Sequence, residues 1–188
     1  MNPPHHAPRR RWLRQAATTT LAMALPGLAS SARAASLNSG PERALAFAHT
    51  HTGERLSLVY AVGDHYLNDS LFSLNHFLRD HYSGEQGVMD PRLFDLLHRL
   101  RLELGASQNF EVISAYRSPS TNEHLRTTRA GGVAKRSLHM DGRAMDIRLP
   151  GVPLADLRQA ALSLRLGGVG YYPREQFVHV DTGPVRHW

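Results

Sequence analysis

The chain has 188 residues, with 22 Lys and Arg, 16 Asp and Glu, 12 His and a formal net charge of +6. That length suits one ordinary domain, and 41% hydrophobic with 20% charged residues excludes wholesale disorder. The absence of Cys excludes a disulfide framework, a Cys-ligated zinc site, iron–sulfur clusters and a thiol nucleophile.

The charge excess sits at the N-terminus. Arg9-Arg10-Arg11-Trp12-Leu13-Arg14 is a basic run without a nearby acid, followed by a weakly apolar stretch to Ser30. Ala32-Arg33-Ala34 then has the small-x-small pattern of a signal-peptidase site. Residues 1–34 are therefore expected to be a signal peptide of the twin-arginine type, cut before Ala35, with the periplasm as destination. Pro26 and three Thr make the stretch too weak for a stable membrane span. Without residues 1–34 the chain holds 17 basic and 16 acidic residues. The phosphate-neutralising surplus disappears, which argues against a nucleic-acid partner.

Residues 35–43 form a polar lead-in, and residues 44–188 the expected domain. Ala44–Thr52 and Leu56–Val62 read as two strands paired about Gly53. Leu71, Leu74, Phe77 and Leu78 repeat at helical spacing, with Asn68, Asp69 or Ser70 as candidate cap. Residues 80–90 read as a loop. Asp90-Pro91 opens a second helix whose stripe is Leu93, Leu96, Leu97, Leu100 and Leu104, with Gly105 as its stop. Phe110–Ala115 is a short buried strand, and Ser118-Pro119 starts a short helix to Arg126. The basic run 126–136 is a solvated loop, a rest for anionic glycan strands or a gate over a cleft. Arg143–Leu149 alternates with period two. A helix led by Val152-Pro153 ends at Gly167-Gly168. Val169–Tyr172 and Phe177–Thr182 are the last strands. The fold class is α+β, with a small antiparallel sheet and helices packed on one side.

The chemistry concentrates in two segments. In Ser137-Leu138-His139-Met140-Asp141-Gly142-Arg143-Ala144-Met145-Asp146, a turn brings His139 back toward the strand bearing Asp146. An Asp between apolar neighbours in a strand needs a compensating cation; either a metal or an Arg supplies it. In Phe177-Val178-His179-Val180-Asp181, His179 and Asp181 share one face. That pair is either a ligand or acid–base arrangement, or a plain hydrogen-bonded pair. Three ligands of this kind leave a fourth zinc position open, the mark of a catalytic site. Arg117, where a strand runs into a helix, either closes a salt bridge or offers donors to a substrate carboxylate or oxyanion. His49 and His51 read as surface or edge-strand histidines. Tyr171 and Tyr172 serve either a groove or the core, and Trp188 is expected to tuck onto the domain.

Four motifs occur in order: Ser114-x-Tyr116-Arg117-Ser118; Ser137-x-His139-x-x-Gly142-x-Ala144-x-Asp146-Ile147; Gly167-Gly-Val-Gly-Tyr-Tyr-Pro173; and Phe177-Val-His-Val-Asp-Thr-Gly-Pro-Val-Arg-x-Trp188. Together they resemble the periplasmic murein endopeptidases of the MepK type. That group is related to the zinc D-Ala-D-Ala carboxypeptidases, the lysostaphin-type peptidases and the hedgehog signalling domain. The resemblance spans about Ala44 to Trp188. It implies a hedgehog- and D-Ala-D-Ala-peptidase-like fold, with His139, Asp146 and His179 binding Zn2+. It also implies that Arg117 faces the substrate and that Ser137 and Asp181 lie near the metal. The implied substrate is the cross-linked stem peptide of peptidoglycan.

The chain departs from its relatives at one point. Many carry an acidic base three residues before the last ligand, where this chain has Gln176. Asp181 is then the candidate base or orienter; alternatively Asp181 is itself a ligand with His179 as the acid–base group, and Glu175 is a further option for the base. The rival to a metallopeptidase is a non-catalytic peptidoglycan-binding module with a structural zinc site.

Overall fold

Alternation in β1 (Glu42–His49) buries Leu45, Phe47 and His49 on one face. β2 (Arg55–Val62) returns antiparallel to it. Gly53 makes the turn at φ +74°, a conformation that favours glycine. This is a computed structural model that describes residues 40–128 and 133–188. The expected signal peptide, most of the lead-in and residues 129–132 of the basic run lie outside the described residues. The remaining elements are β3 (His65–Tyr66), α1 (Asn68–Phe77), α2 (Pro91–Glu103), β4 (Phe110–Ser114), α3 (Pro119–Thr128), β5 (Ala144–Arg148), α4 (Leu154–Leu164), β6 (Gly168–Tyr172), β7 (Phe177–Asp181) and β8 (Arg186–His187).

The α+β class is as expected. Among the described residues all the strands join one sheet in the order β3-β2-β1-β4-β5-β7-β6-β8. The antiparallel pairing expected of the later strands holds for β4–β5, β5–β7 and β6–β7. Two pairs, β1–β4 and β6–β8, are parallel, so the sheet is mixed. Between β1 and β4 the chain passes through α1 and α2, and a crossover of that length is what a parallel pair requires. β3 and β8 have two residues each. Such runs are too short for periodicity to reveal.

The second helix starts as its sequence dictates. Asp90 accepts a hydrogen bond from the Arg92 N–H at 3.0 Å, and Pro91 occupies the first turn. Its leucine stripe is buried at Leu93, Leu96, Leu97 and Leu100, and joins Phe47, Phe110, Met145, Ile147, Val178 and Val180 in one core. α1 differs from the expected capping. Leu67 is its N-cap residue, with no side-chain cap bond, and the Ser70 hydroxyl donates instead to the Val59 carbonyl at 2.7 Å. α4 also stops early, at Arg165, which takes a left-handed conformation with φ 51°. The two glycines after it therefore serve close packing. A Cβ on Gly167 would overlap the Asp181 carbonyl, and one on Gly168 would crowd the Asp181 carboxylate and Arg186.

Candidate metal centre and groove

β5 and β7 pair in a register that sets Asp146 directly opposite His179, and Ala144 opposite Asp181. Met145, Ile147, Val178 and Val180 fill the core from the other face. Core packing therefore decides which way both ligand candidates point. His139 arrives from the turn before β5. That turn is closed by the Arg143 N–H donating to the Leu138 carbonyl at 2.9 Å, and the Arg117 N–H donates to the His139 carbonyl at 3.2 Å.

The three side chains meet. His139, Asp146 and His179 are all buried, and one ligand atom from each lies within 4.8 Å of the others. Among the described residues this is the one group of His and carboxylate side chains so arranged. His139 Nδ1 lies 2.7 Å from the Ala115 carbonyl, which can only accept, so Nδ1 carries the proton. The Nε2 lone pair then faces Asp146 Oδ1 at 3.3 Å. His179 Nδ1 lies 2.9 Å from that same Oδ1, and its Nε2 lies 3.1 Å from Asp181 Oδ2.

Burial disfavours charge on all three groups, and proximity opposes it. Burial lowers the His139 pKa, against the pull of Asp146. Burial alone would raise Asp146, but His139 and His179 hold it well below the usual carboxylate range. Burial would likewise lower His179, but hydrogen bonds to Asp146 and Asp181 raise it to about 9. A proton on His179 thus supplies the positive charge that the cluster demands. A metal cation would supply the same charge. His139 Nε2, Asp146 Oδ1 and His179 Nδ1 would then be its ligand atoms, while Ala115 and Asp181 fix the outer ring nitrogens. The donor set therefore fits zinc, which takes His nitrogen and carboxylate oxygen.

Asp181 is wholly buried and saturated. Oδ1 accepts from the N–H groups of Gly168 at 3.0 Å and Gly183 at 2.7 Å, and Arg186 donates to Oδ2 at 2.8 Å. Burial would raise its pKa, but the His179 bond and these N–H donors hold it at about 2. It lies behind His179 and does not line the groove. Glu175 does, together with Arg117, Ser137, Tyr172 and Trp188, in a cavity of about 400 Å³ that opens over the histidines. Tyr172 thus serves the groove, while Tyr171 packs toward the core and stacks with Arg158. Trp188 sits 5.2 Å, ring to ring, from His179, and its indole N–H donates to the Tyr172 hydroxyl at 2.7 Å.

Arg117 lines the groove 3.9 Å from Asp146 Oδ2, with Ser114 and Asn122 within 3.4 Å. The backbone next to Arg117 is held by Asp80, from the segment 80–90 expected to be a loop. Asp80 is buried and accepts from the N–H groups of Ser118 at 2.8 Å and Tyr82 at 2.9 Å. Residues 80–90 hold three acids, Asp80, Glu85 and Asp90, so the sequence alone does not single out Asp80. His49 is buried on an interior strand rather than at a surface or edge, because β1 has neighbours on both sides. His51 is exposed and stacks on His81 at 4.2 Å.

These buried groups set an acid limit on the fold. Burial, with His51 adding repulsion, lowers His49 and His81 to about 4. They favour the folded state only while neutral, so stability falls as pH drops from 6.5 toward 4. Burial would raise Asp80, but hydrogen bonds from Thr121, Ser118 and Tyr82 hold it at about 2. Its contribution is complete above 3.8 and is lost as pH falls through about 2. Melting temperatures across this range are expected to fall in two stages. His49→Phe should shrink the upper stage and Asp80→Asn the lower.

The sequence model of the peptidoglycan L,D-endopeptidase MepK family matches residues 38–188. The chain belongs to this family. Members of the family are peptidases. The chain is 47% identical over 154 residues to the peptidoglycan L,D-endopeptidase MepK of Escherichia coli K12, covering 82% of this chain and 84% of that protein. It is 44% identical over 147 residues to the probable peptidoglycan L,D-endopeptidase MepK of Haemophilus influenzae, covering 78% of each. The family match takes in every ligand candidate and the whole groove wall.

Proposed function

We propose that the chain is a zinc-dependent murein endopeptidase that hydrolyses stem-peptide cross-links of peptidoglycan. The observation that carries the reading is the convergence of His139 Nε2, His179 Nδ1 and Asp146 Oδ1 at the floor of an open groove. A structural zinc site is closed by four protein ligands, whereas three ligands facing a groove leave room for substrate. That favours catalysis over a binding module with structural zinc. His139, Asp146 and His179 would hold the ion. Zinc held there would supply Lewis-acid chemistry toward a carbonyl oxygen and toward water.

The other groups bind and orient. Arg117 directs its guanidinium at a substrate carboxylate or at the charge developing on the carbonyl oxygen. Asp181 keeps the Nε2 proton of His179 in place, which leaves Nδ1 free to ligate. Its burial argues for the orienting role rather than that of base. Glu175, on the groove wall, is the remaining carboxylate candidate for accepting a proton from groove water.

Sacculi of defined cross-link type, digested with and without chelator and followed by product mass analysis, test the reading. Zinc-dependent release of stem-peptide products is expected. Binding to sacculi with no release overturns it. Asp181→Asn separates orienter from base. Zinc affinity should fall about 10- to 100-fold, and excess zinc should restore cleavage. A base could not be replaced in that way.

Export belongs to the same proposal. The basic run and Ala32-Arg33-Ala34 support delivery to the periplasm by the twin-arginine route, with Ala35 as the mature N-terminus. N-terminal sequencing of the periplasmic protein, in cells with and without that translocase, is the test.

A further inference from the structure

Three guanidinium groups line the groove, from Arg117, Arg136 and Arg186. Two are engaged inside the protein. Arg186 donates to Asp181 and to the Pro184 carbonyl at 3.0 Å. Arg117 is held among Ser114, Asn122 and Asp146. Arg136 is exposed and makes no hydrogen bond or ion pair among the described residues. A cation left open on a groove wall is solvated by water until an anion replaces it.

The backbone around Arg136 is nevertheless pinned on both sides. Asn122 Nδ2 donates to the Ala134 carbonyl at 3.1 Å, and the Met140 N–H donates to the Ser137 carbonyl at 3.0 Å. Ser137 and His139 follow directly and lie on the same groove. Arg136 therefore projects from an anchored segment three residues before a ligand candidate. Anchoring reduces the entropy lost when its fork closes on a carboxylate. Tyr172, Phe177 and Trp188 contribute aromatic rings to the same groove lining. Glu175 is a carboxylate on the same lining, and it forms no ion pair with Arg136 among the described residues.

We propose that Arg136 is a specificity-determining residue that binds a free carboxylate of the substrate peptide beside the scissile bond. The proposal rests on the peptidase reading above and names the chemical feature that the groove selects. Arg136 contributes ground-state binding, so its loss should raise KM and leave kcat in place.

The test uses two probes that the enzyme cannot cleave. They are the stem tripeptide L-Ala-D-Glu-meso-diaminopimelate and the same peptide with its diaminopimelate carboxylates amidated. Calorimetry with zinc-loaded protein should show about a tenfold preference for the acid, as befits one charge-assisted hydrogen-bonded pair. Arg136→Gln should abolish the preference, and Arg136→Lys should retain part of it as a point charge. On a cross-linked muropeptide, Arg136→Gln should raise KM about tenfold at unchanged kcat. Equal melting temperatures and zinc content establish that the variant folds. A preference that survives in Arg136→Gln, or an unchanged KM, overturns the proposal. Failure of the wild type to cleave, with the Arg136-dependent preference intact, overturns only the peptidase reading.

Discussion

Asp146→Ala is expected to remove muropeptide cleavage altogether. Asp146 is the centre of the cluster, with His139 Nε2 at 3.3 Å, His179 Nδ1 at 2.9 Å and Arg117 at 3.9 Å. Alanine deletes the only carboxylate of the ligand set and leaves two imidazoles, too few to hold zinc at a catalytic site. Loss of an outer partner costs about 10- to 100-fold, so loss of a ligand should exceed about 100-fold in rate. The structural cost should be smaller. His139 is already inclined to be neutral by burial, and His179 can release its proton once Asp146 is gone. Export, folding and binding to sacculi should persist while bound zinc and product release vanish. Product release at the wild-type rate from Asp146→Ala would end the metallopeptidase reading. Asp146→Asn is the companion variant, because it keeps the shape and removes the charge.

Gly142→Ala should have the largest effect on stability. Gly142 lies at φ +65°, where a Cβ costs about 1–2 kcal/mol. The added Cβ would also overlap the Val88 carbonyl and come within 3.0 Å of Met89 Cα. Both obstacles are backbone, and neither can swing away. The Gly142 carbonyl accepts from the Asp90 N–H at 2.9 Å, and Asp90 caps α2 and accepts from Thr182 at 2.7 Å. A shift of this turn therefore disturbs α2, the end of β7 and the return of His139 together. We expect a loss of roughly 3 kcal/mol or more, at the upper end for single substitutions. In a chain of this size that lowers the melting temperature by about 6–12 °C. Gly53→Ala is the control. It shares a positive φ, +74°, but its Cβ would meet nothing within 4 Å. It should cost only the left-handed penalty, about 1–2 kcal/mol. Equal losses in the two variants would show that the close approach to Val88 has no weight.

The elements that the sequence announced are those whose signal is local. The Asp90-Pro91 start of α2, its leucine stripe and the alternation of β5 and β7 depend on neighbours a few residues away. The cap of α1 and the end of α4 depart from the local signal because Ser70 and Gly167 are committed to partners distant in the chain, Val59 and Asp181. β8 was invisible because two residues carry no period.

The candidate site divides in the same way. Composition alone required any metal to be held by His and carboxylate, since there is no Cys. Spacing alone put His179 and Asp181 on one face. Spacing could not say that Asp146 lies opposite His179, because that register is set by Met145, Ile147, Val178 and Val180 packing behind them. Nor could it show that Asp181 is sealed under Gly168 and Arg186, that Asp80 stands behind Arg117, or that Arg136 faces the groove. These facts depend on the order in which strands and turns pack. The sequence thus determined the donor types and their local faces, and the tertiary structure decided which donors meet and which of them reach the groove.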